Sequence, residues 1–138
     1  MNRIIVIILS ITILSSCSDK EGPEGLVGNS SDIIKLSTKY VEFGAMADSV
    51  IITTEGNWWW IDEIFFNDSS YSYYNNENIN LESHSYIIEE EDFIVERRNK
   101  TTLFIKLYEN ITGIERELII GLEAGNYFDD VFIKQSAK

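Results

Sequence analysis

Trp58-Trp59-Trp60 and the nearby Tyr71, Tyr73 and Tyr74 are the side chains whose type and spacing best suit contact with a ligand. A flat apolar ring with an N–H or O–H handle stacks on a sugar face or anchors a protein interface. Successive strand residues face opposite sides, so three consecutive Trp cannot share one. Either Trp58 and Trp60 point inward and Trp59 outward, or the reverse. Glycoside hydrolysis needs two carboxylates across a cleft. Glu89-Glu90-Glu91-Asp92 and Asp129-Asp130 supply carboxylates. Acidic runs of this kind are usually solvated turns, and a small domain leaves little room for a deep cleft. No Asp-x-Asp-x-Asp-Gly calcium loop occurs. With one Cys, Cys17, and one His, His84, there is no disulfide framework, thiolate zinc site or His cluster to build. The sequence therefore predicts no enzyme, no metal and no cofactor.

The wider chain narrows the choice of partner. Its 138 residues carry 11 basic and 23 acidic groups, a net of −12. Binding a duplex requires clustered Lys and Arg, so nucleic acid is excluded. Acidic polysaccharides are expected to be repelled, which favours a neutral or basic ligand. A 44% hydrophobic and 12% aromatic content excludes global disorder.

The N-terminus reads as an address. Arg3 precedes an apolar run from Ile4 to Leu14, broken only by Ser10 and Thr12, and Ser15-Ser16-Cys17 closes it. A membrane span needs about 20 apolar residues, so this run suits the core of a secretory signal instead. Leu14-Ser15-Ser16-Cys17 resembles the bacterial lipobox, in which the Cys is lipidated and the preceding peptide removed. Residues 1–16 are thus expected to be a lipoprotein signal peptide, and removing them leaves a net of −13. Each lipid methylene buried contributes roughly 0.8 kcal/mol, and more than one acyl chain makes anchoring stable. Residues 17–31 hold Gly22, Gly25, Gly28, Asp19, Lys20, Glu21, Glu24 and Pro23, the only proline, a composition expected to form a flexible acidic tether.

From Asp32 the pattern is of strands. Val50 and Ile52, Leu103 to Leu107, Leu118 to Leu122, and Val131 and Ile133 repeat with period two. The 114–122 window also fits a helix, but Gly113, Gly121 and β-branched Ile119 and Ile120 tip it to strand. Glu55-Gly56-Asn57, Asn110 to Gly113 and Gly125-Asn126 mark turns. The expected strands are 33–43 (broken near 37), 49–54, 58–66, 79–88 in pieces, 93–98, 102–108, 114–122 and 128–135. An all-β, immunoglobulin-like β-sandwich of about seven to eight strands over 32–138 accounts for them. Asn67 to Asn80 is a long Tyr- and Asn-rich segment, expected to cover a sheet edge or to form a functional loop. Phe104, Tyr108 and Phe132 fall opposite their strands' aliphatic sets, where they would form an aromatic patch or pack across strands.

Four pieces carry a resemblance. They are Thr53-Thr54 before Trp58-Trp59-Trp60-Ile61; Asp92-Phe93-Ile94-Val95; Asn110-Ile111-Thr112-Gly113-Ile114-Glu115-Arg116; and Val131-Phe132-Ile133-Lys134-Gln135. In that order, behind a lipobox, they resemble the BACON domain family (Bacteroidetes-associated carbohydrate-binding, often N-terminal) over roughly Leu36 to Gln135. Residues 67–80 depart from the family's shorter linker. The resemblance implies an immunoglobulin-like sandwich without catalysis. Its carbohydrate-binding name rests on association with glycan-degrading proteins. The acidic residues after Cys17 resemble a surface-export signal of Bacteroidetes-type lipoproteins, interrupted by Lys20, and Asp48-Ser49-Val50 resembles a three-residue O-glycosylation signal that would modify Ser49.

The expected protein is a non-enzymatic lipoprotein held in the outer membrane through Cys17 and exposed at the cell surface, a periplasm-facing position being the alternative. Its recognition domain would bind glycan or mucin-type ligands through Trp58, Trp59, Trp60, Tyr71, Tyr73 and Tyr74. The alternative is an accessory or spacer module contacting a surface protein without sugar.

Overall fold

A computed structural model describes residues 31–138. The expected signal peptide (1–16), Cys17 and all of the expected tether except Ser31 lie outside the described residues. Among the described residues there are nine strands and no helix. They are β1 (Tyr40–Phe43), β2 (Asp48–Thr53), β3 (Trp60–Phe66), β4 (Ser69–Ser72), β5 (Tyr86–Glu89), β6 (Phe93–Arg98), β7 (Thr102–Leu107), β8 (Arg116–Ala124) and β9 (Tyr127–Gln135). One sheet has the order β1-β9-β8-β3-β4 and the other β2-β7-β6-β5. The β1–β9 pair is parallel, with Tyr40 opposite Phe132 and Phe43 opposite Gln135. The all-β sandwich expected from period-two patterning is what forms.

Alternation in the sequence becomes the two faces of each strand. Leu118, Ile120 and Leu122 of β8 and Val131 and Ile133 of β9 point into the core with Ile64 of β3. The second sheet answers with Ile52, Ile88, Phe93, Val95, Leu103, Ile105 and Leu107. Each such side chain contributes roughly 1.5–3 kcal/mol when fully buried.

The fold departs from the sequence reading at three places. Residues 33–39 form no strand and meet the end of β2 through a bridge between Leu36 and Thr54 and bonds between Ser37 and Thr53. Within 79–88 only Tyr86 onward is strand. β4 is an added strand inside the supposed edge cover: Asn67, at φ 50°, turns the chain, and Ser69 to Ser72 pair with Phe66 to Glu63. An edge strand needs partners on one side only, so a Ser-rich segment of weak strand propensity can still form one.

Asn110 and Arg116, at the two ends of an exposed turn, form a buried polar lock. Asn110 is fully buried; its amide donates to the carbonyls of Ile114 (2.6 Å) and Ser136 (3.0 Å), and its oxygen accepts from Thr112 N–H and Oγ1. Arg116, 3% exposed, donates to Gln135 Oε1, to the Tyr108 carbonyl and to Asp92 Oδ1 at 2.7 Å. Gln135 in turn donates to the carbonyls of Met46 and Tyr108. β8 and β9 of one sheet are thereby tied to the segments that flank β2, β6 and β7 of the other.

Candidate functional site

The start of β3 decides the fate of the three tryptophans. Trp60 pairs with Glu123 on the outer side of the sheet and Ile61 with Leu122 on the inner side, so Trp59 points inward. Trp59 is 1% exposed, donates its Nε1–H to Thr54 Oγ1 (2.9 Å) and the Gly56 carbonyl (3.2 Å), and lies 4.6 Å from the Arg97 guanidinium. It fills the core and offers no ligand surface. Gly56 is needed there, because a Cβ would fall 2.2 Å from the Ile33 carbonyl oxygen.

Trp58 and Trp60 share the other side. Trp58 is 67% exposed and meets the half-buried Trp60 edge-on, ring centroids 5.7 Å apart. Trp60 donates its Nε1–H to Glu123 Oε2 at 3.2 Å. The Trp58 ring also rests on Gly125, whose φ of +67° makes the tight β8–β9 turn and whose missing Cβ would lie 3.2 Å from that ring. One glycine thus serves both the turn and the indole.

The tyrosines separate in the same way. Tyr71 is half-buried on the inner side of β4, edge-on to Phe93 at 5.5 Å. Tyr73 is buried and donates its O–H to Glu90 Oε1 at 2.7 Å; burial, then that carboxylate, pushes its pKa up. Only Tyr74, 74% exposed, remains in the open. It lines a trough of about 490 Å³ with Trp60, Ile79, Asn80, Leu81 and Glu82. Of the six aromatic candidates, Trp58 meets Trp60 and Trp60 shares the trough with Tyr74, whereas Trp59, Tyr71 and Tyr73 hold the scaffold beneath.

The wall formed by Ile79 to Glu82 was missed from sequence. It sits in an ordered loop: Asn76 Oδ1 accepts from Asn78 N–H, Asn80 Oδ1 accepts from Glu82 N–H, and Leu81 is buried as an anchor. These Asx turns are what the Asn-rich composition encodes. Apolar Ile79 and Leu81 amid Asn and Glu were the available signal.

A second cavity, about 140 Å³, adjoins the trough through Trp60 and Glu82 and is also lined by Trp58, His84, Arg97 and Lys100. Arg97 is 3% exposed and donates to the carbonyls of Ser83 (2.7 Å) and Asn57 (3.2 Å). Its Nε–H is buried without a partner. Burial draws its pKa down. Tyr86, opposite Arg97 in the ladder, accepts from Ile61 N–H, and burial pushes its pKa up to about 12.

The acidic runs have structural partners. Glu90 accepts from Tyr73, Asp92 pairs with Arg116, and Asp129 pairs with Lys39 at 2.7 Å. Phe104, Tyr108 and Phe132 do not form one patch. Phe104 lies under Arg98, Tyr108 beside Lys106, and Phe132 stacks on Tyr40 on the other sheet. Ser49 is exposed on edge strand β2, its N–H held by Asp48 Oδ1 at 2.7 Å.

Nine strands in two sheets around one apolar core, among the described residues, define an all-β sandwich protein. No family model and no curated protein matches the chain. Among solved structures it is similar to a Bacteroides thetaiotaomicron protein determined by NMR, at 20% identity over 85% of this chain and 94% of that one, with a TM-score of 0.61. A Bacteroides ovatus GH5 xyloglucanase, solved with a XXXG heptasaccharide, matches at 18% identity over 76% of this chain and 19% of that one, TM-score 0.47. The first likeness is one of fold; the second is too slight in shape to bear on function.

Proposed function

We propose that this domain is a non-catalytic recognition module of a surface-anchored, BACON-like lipoprotein, and that it binds a saccharide at the trough between Trp60 and Tyr74. The observation that carries this is the trough lined by Trp60 and Tyr74, with Trp58 edge-on to Trp60, beside the polar groups of Asn80 and Glu82 on the ordered loop. Aromatic faces beside a few fixed polar groups are what a sugar ring, apolar on its faces and polar on its rim, requires. The BACON-like assignment is supported by the tasks of the quoted pieces: Trp59 fills the core, and Asn110, Arg116 and Gln135 form the polar lock.

A glycan array probed with the protein and with Trp58→Ala and Tyr74→Ala tests the site. Each substitution is expected to weaken binding about tenfold, equivalent to ~1.4 kcal/mol, with the thermal midpoint nearly unchanged because both side chains are mostly exposed. Undiminished binding by both variants removes the trough as the platform.

Anchoring is supported by Leu14-Ser15-Ser16-Cys17. The protein is expected to partition into a detergent phase when made in a bacterial host, and Cys17→Ala to leave it soluble or unprocessed. Partitioning that survives the substitution would sink the anchor.

One observation favours the accessory-module alternative. On the outer face of the five-stranded sheet, Tyr40, Phe132, Ile119 and Phe65 lie directly opposite one another across four strands, and Tyr40 is 75% exposed. A contiguous apolar row of this sort suits a protein interface.

A further inference from the structure

We infer that the cationic end of this groove recognises an anionic substituent, a carboxylate or sulfate, on the bound sugar; the inference rests on the saccharide reading above. Nine Lys and Arg fall among the described residues, and six of them sit within 4.0 Å of a carboxylate. The other three are Arg97, Lys100 and Lys106. Lys106 covers the Tyr108 ring, whereas Arg97 and Lys100 line the same cavity beside the tryptophans. In so acidic a protein that coincidence marks a place with a use for positive charge.

Arg97 makes the stronger half of the case. Along β6 the inward positions are Phe93, Val95 and Arg97, so the guanidinium occupies a core position. It finds two backbone carbonyls and the Trp59 face there, but no counter-ion. A buried charge without an opposite charge is unfavourable, and an anion at the cavity would relieve it. Lys100 is fixed nearby in a left-handed turn, φ 68°, its N–H held by the His84 carbonyl at 2.9 Å. Glu82 is the one carboxylate lining the cavity, and with Arg97 and Lys100 it leaves a net positive site.

The cavity's volume and its shared lining agree with this chemistry. At about 140 Å³ it has room for a carboxylate or sulfate. It adjoins the 490 Å³ trough through Trp60 and Glu82, so a ring held in the trough can place its acidic substituent beside Arg97 and Lys100. Glu123 bonds the Trp60 indole that walls both hollows, and the negative charge beyond it is screened over about 8 Å at physiological salt. At the cavity itself two cations face one lining carboxylate, and there the inference departs from the expectation of a neutral or basic ligand.

The test titrates the protein with matched oligosaccharides that are neutral, uronate-bearing or sulfated, alongside inorganic sulfate and a Glu-rich peptide, following tryptophan fluorescence at low and high salt. The acidic oligosaccharides are expected to bind at least tenfold tighter than the neutral one. That advantage should shrink with salt and be lost in Lys100→Gln, which keeps the backbone bond to His84. Arg97→Gln, once shown to fold by circular dichroism, should lose it too. The uronate and sulfate arms identify which anion is preferred. Equal or tighter binding of the neutral sugar, unchanged in Lys100→Gln, overturns the inference and leaves the saccharide reading standing. Binding of the peptide alone overturns the sugar as carrier, and binding of no oligosaccharide at all overturns the saccharide reading itself.

Discussion

Trp59→Ala is expected to destabilise the domain by about 3–5 kcal/mol, the range for emptying a large buried aromatic site. The loss has several sources. The indole is 1% exposed, it satisfies Thr54 Oγ1 and the Gly56 carbonyl, and its face covers the otherwise unpaired Arg97. Removing it leaves a cavity beside a buried cation. A domain of this size has about 5–15 kcal/mol in all, so the loss takes a large share of its stability. Trp58→Ala, one residue away, removes a ring that is 67% exposed and should cost less than about 1 kcal/mol. Paired urea titrations of the two variants check the contrast. Equal midpoints would contradict the inward placement of Trp59.

Arg116→Ala is expected to cost about 2–4 kcal/mol, chiefly through the acceptor it abandons. Gln135 Oε1 accepts from this guanidinium and an unsatisfied buried polar group costs about 1–3 kcal/mol, whereas the Tyr108 carbonyl keeps its bond from Gln135 Nε2. The ion pair itself contributes less, since Asp92 is 45% exposed and exposed pairs contribute about 0–1 kcal/mol. Asp92→Asn should therefore be mild while Gln135→Ala is severe. A double-mutant cycle between positions 116 and 135 should return a coupling of about 1–3 kcal/mol. Additive effects at those two positions would mean that the lock does not act as a unit.

The legible parts of the fold were those where burial imposes period two. β6 to β9 stand within two residues of where alternation put them, because one face of each is wholly buried. β4 was illegible, since its ladder with β3 owes little to its own Ser and Tyr side chains. The tryptophan run gave an alternation but no parity. Only the pairing of Trp60 with Glu123 fixes which indole is inside. Tyr73 and Tyr74 read alike as loop aromatics, yet one is a buried donor to Glu90 and the other is open. Arg97 was not singled out among the consecutive charges Glu96-Arg97-Arg98 that end the expected 93–98 strand, although it shares the inward parity of Phe93 and Val95.

The parallel pairing of β1 with β9 has a mechanical consequence. Force applied upstream of Tyr40 and downstream of Gln135 draws these two strands past each other lengthwise, loading the bonds between Tyr40–Phe43 and Phe132–Gln135 together. An antiparallel hairpin pulled from its open ends would instead peel one bond at a time. The Leu36–Thr54 bridge and the Ser37–Thr53 bond lie outside this clamp and would yield first, releasing a short length of chain before the sandwich itself bears the load. Pulled between those two ends, the sandwich is thereby arranged to resist in shear.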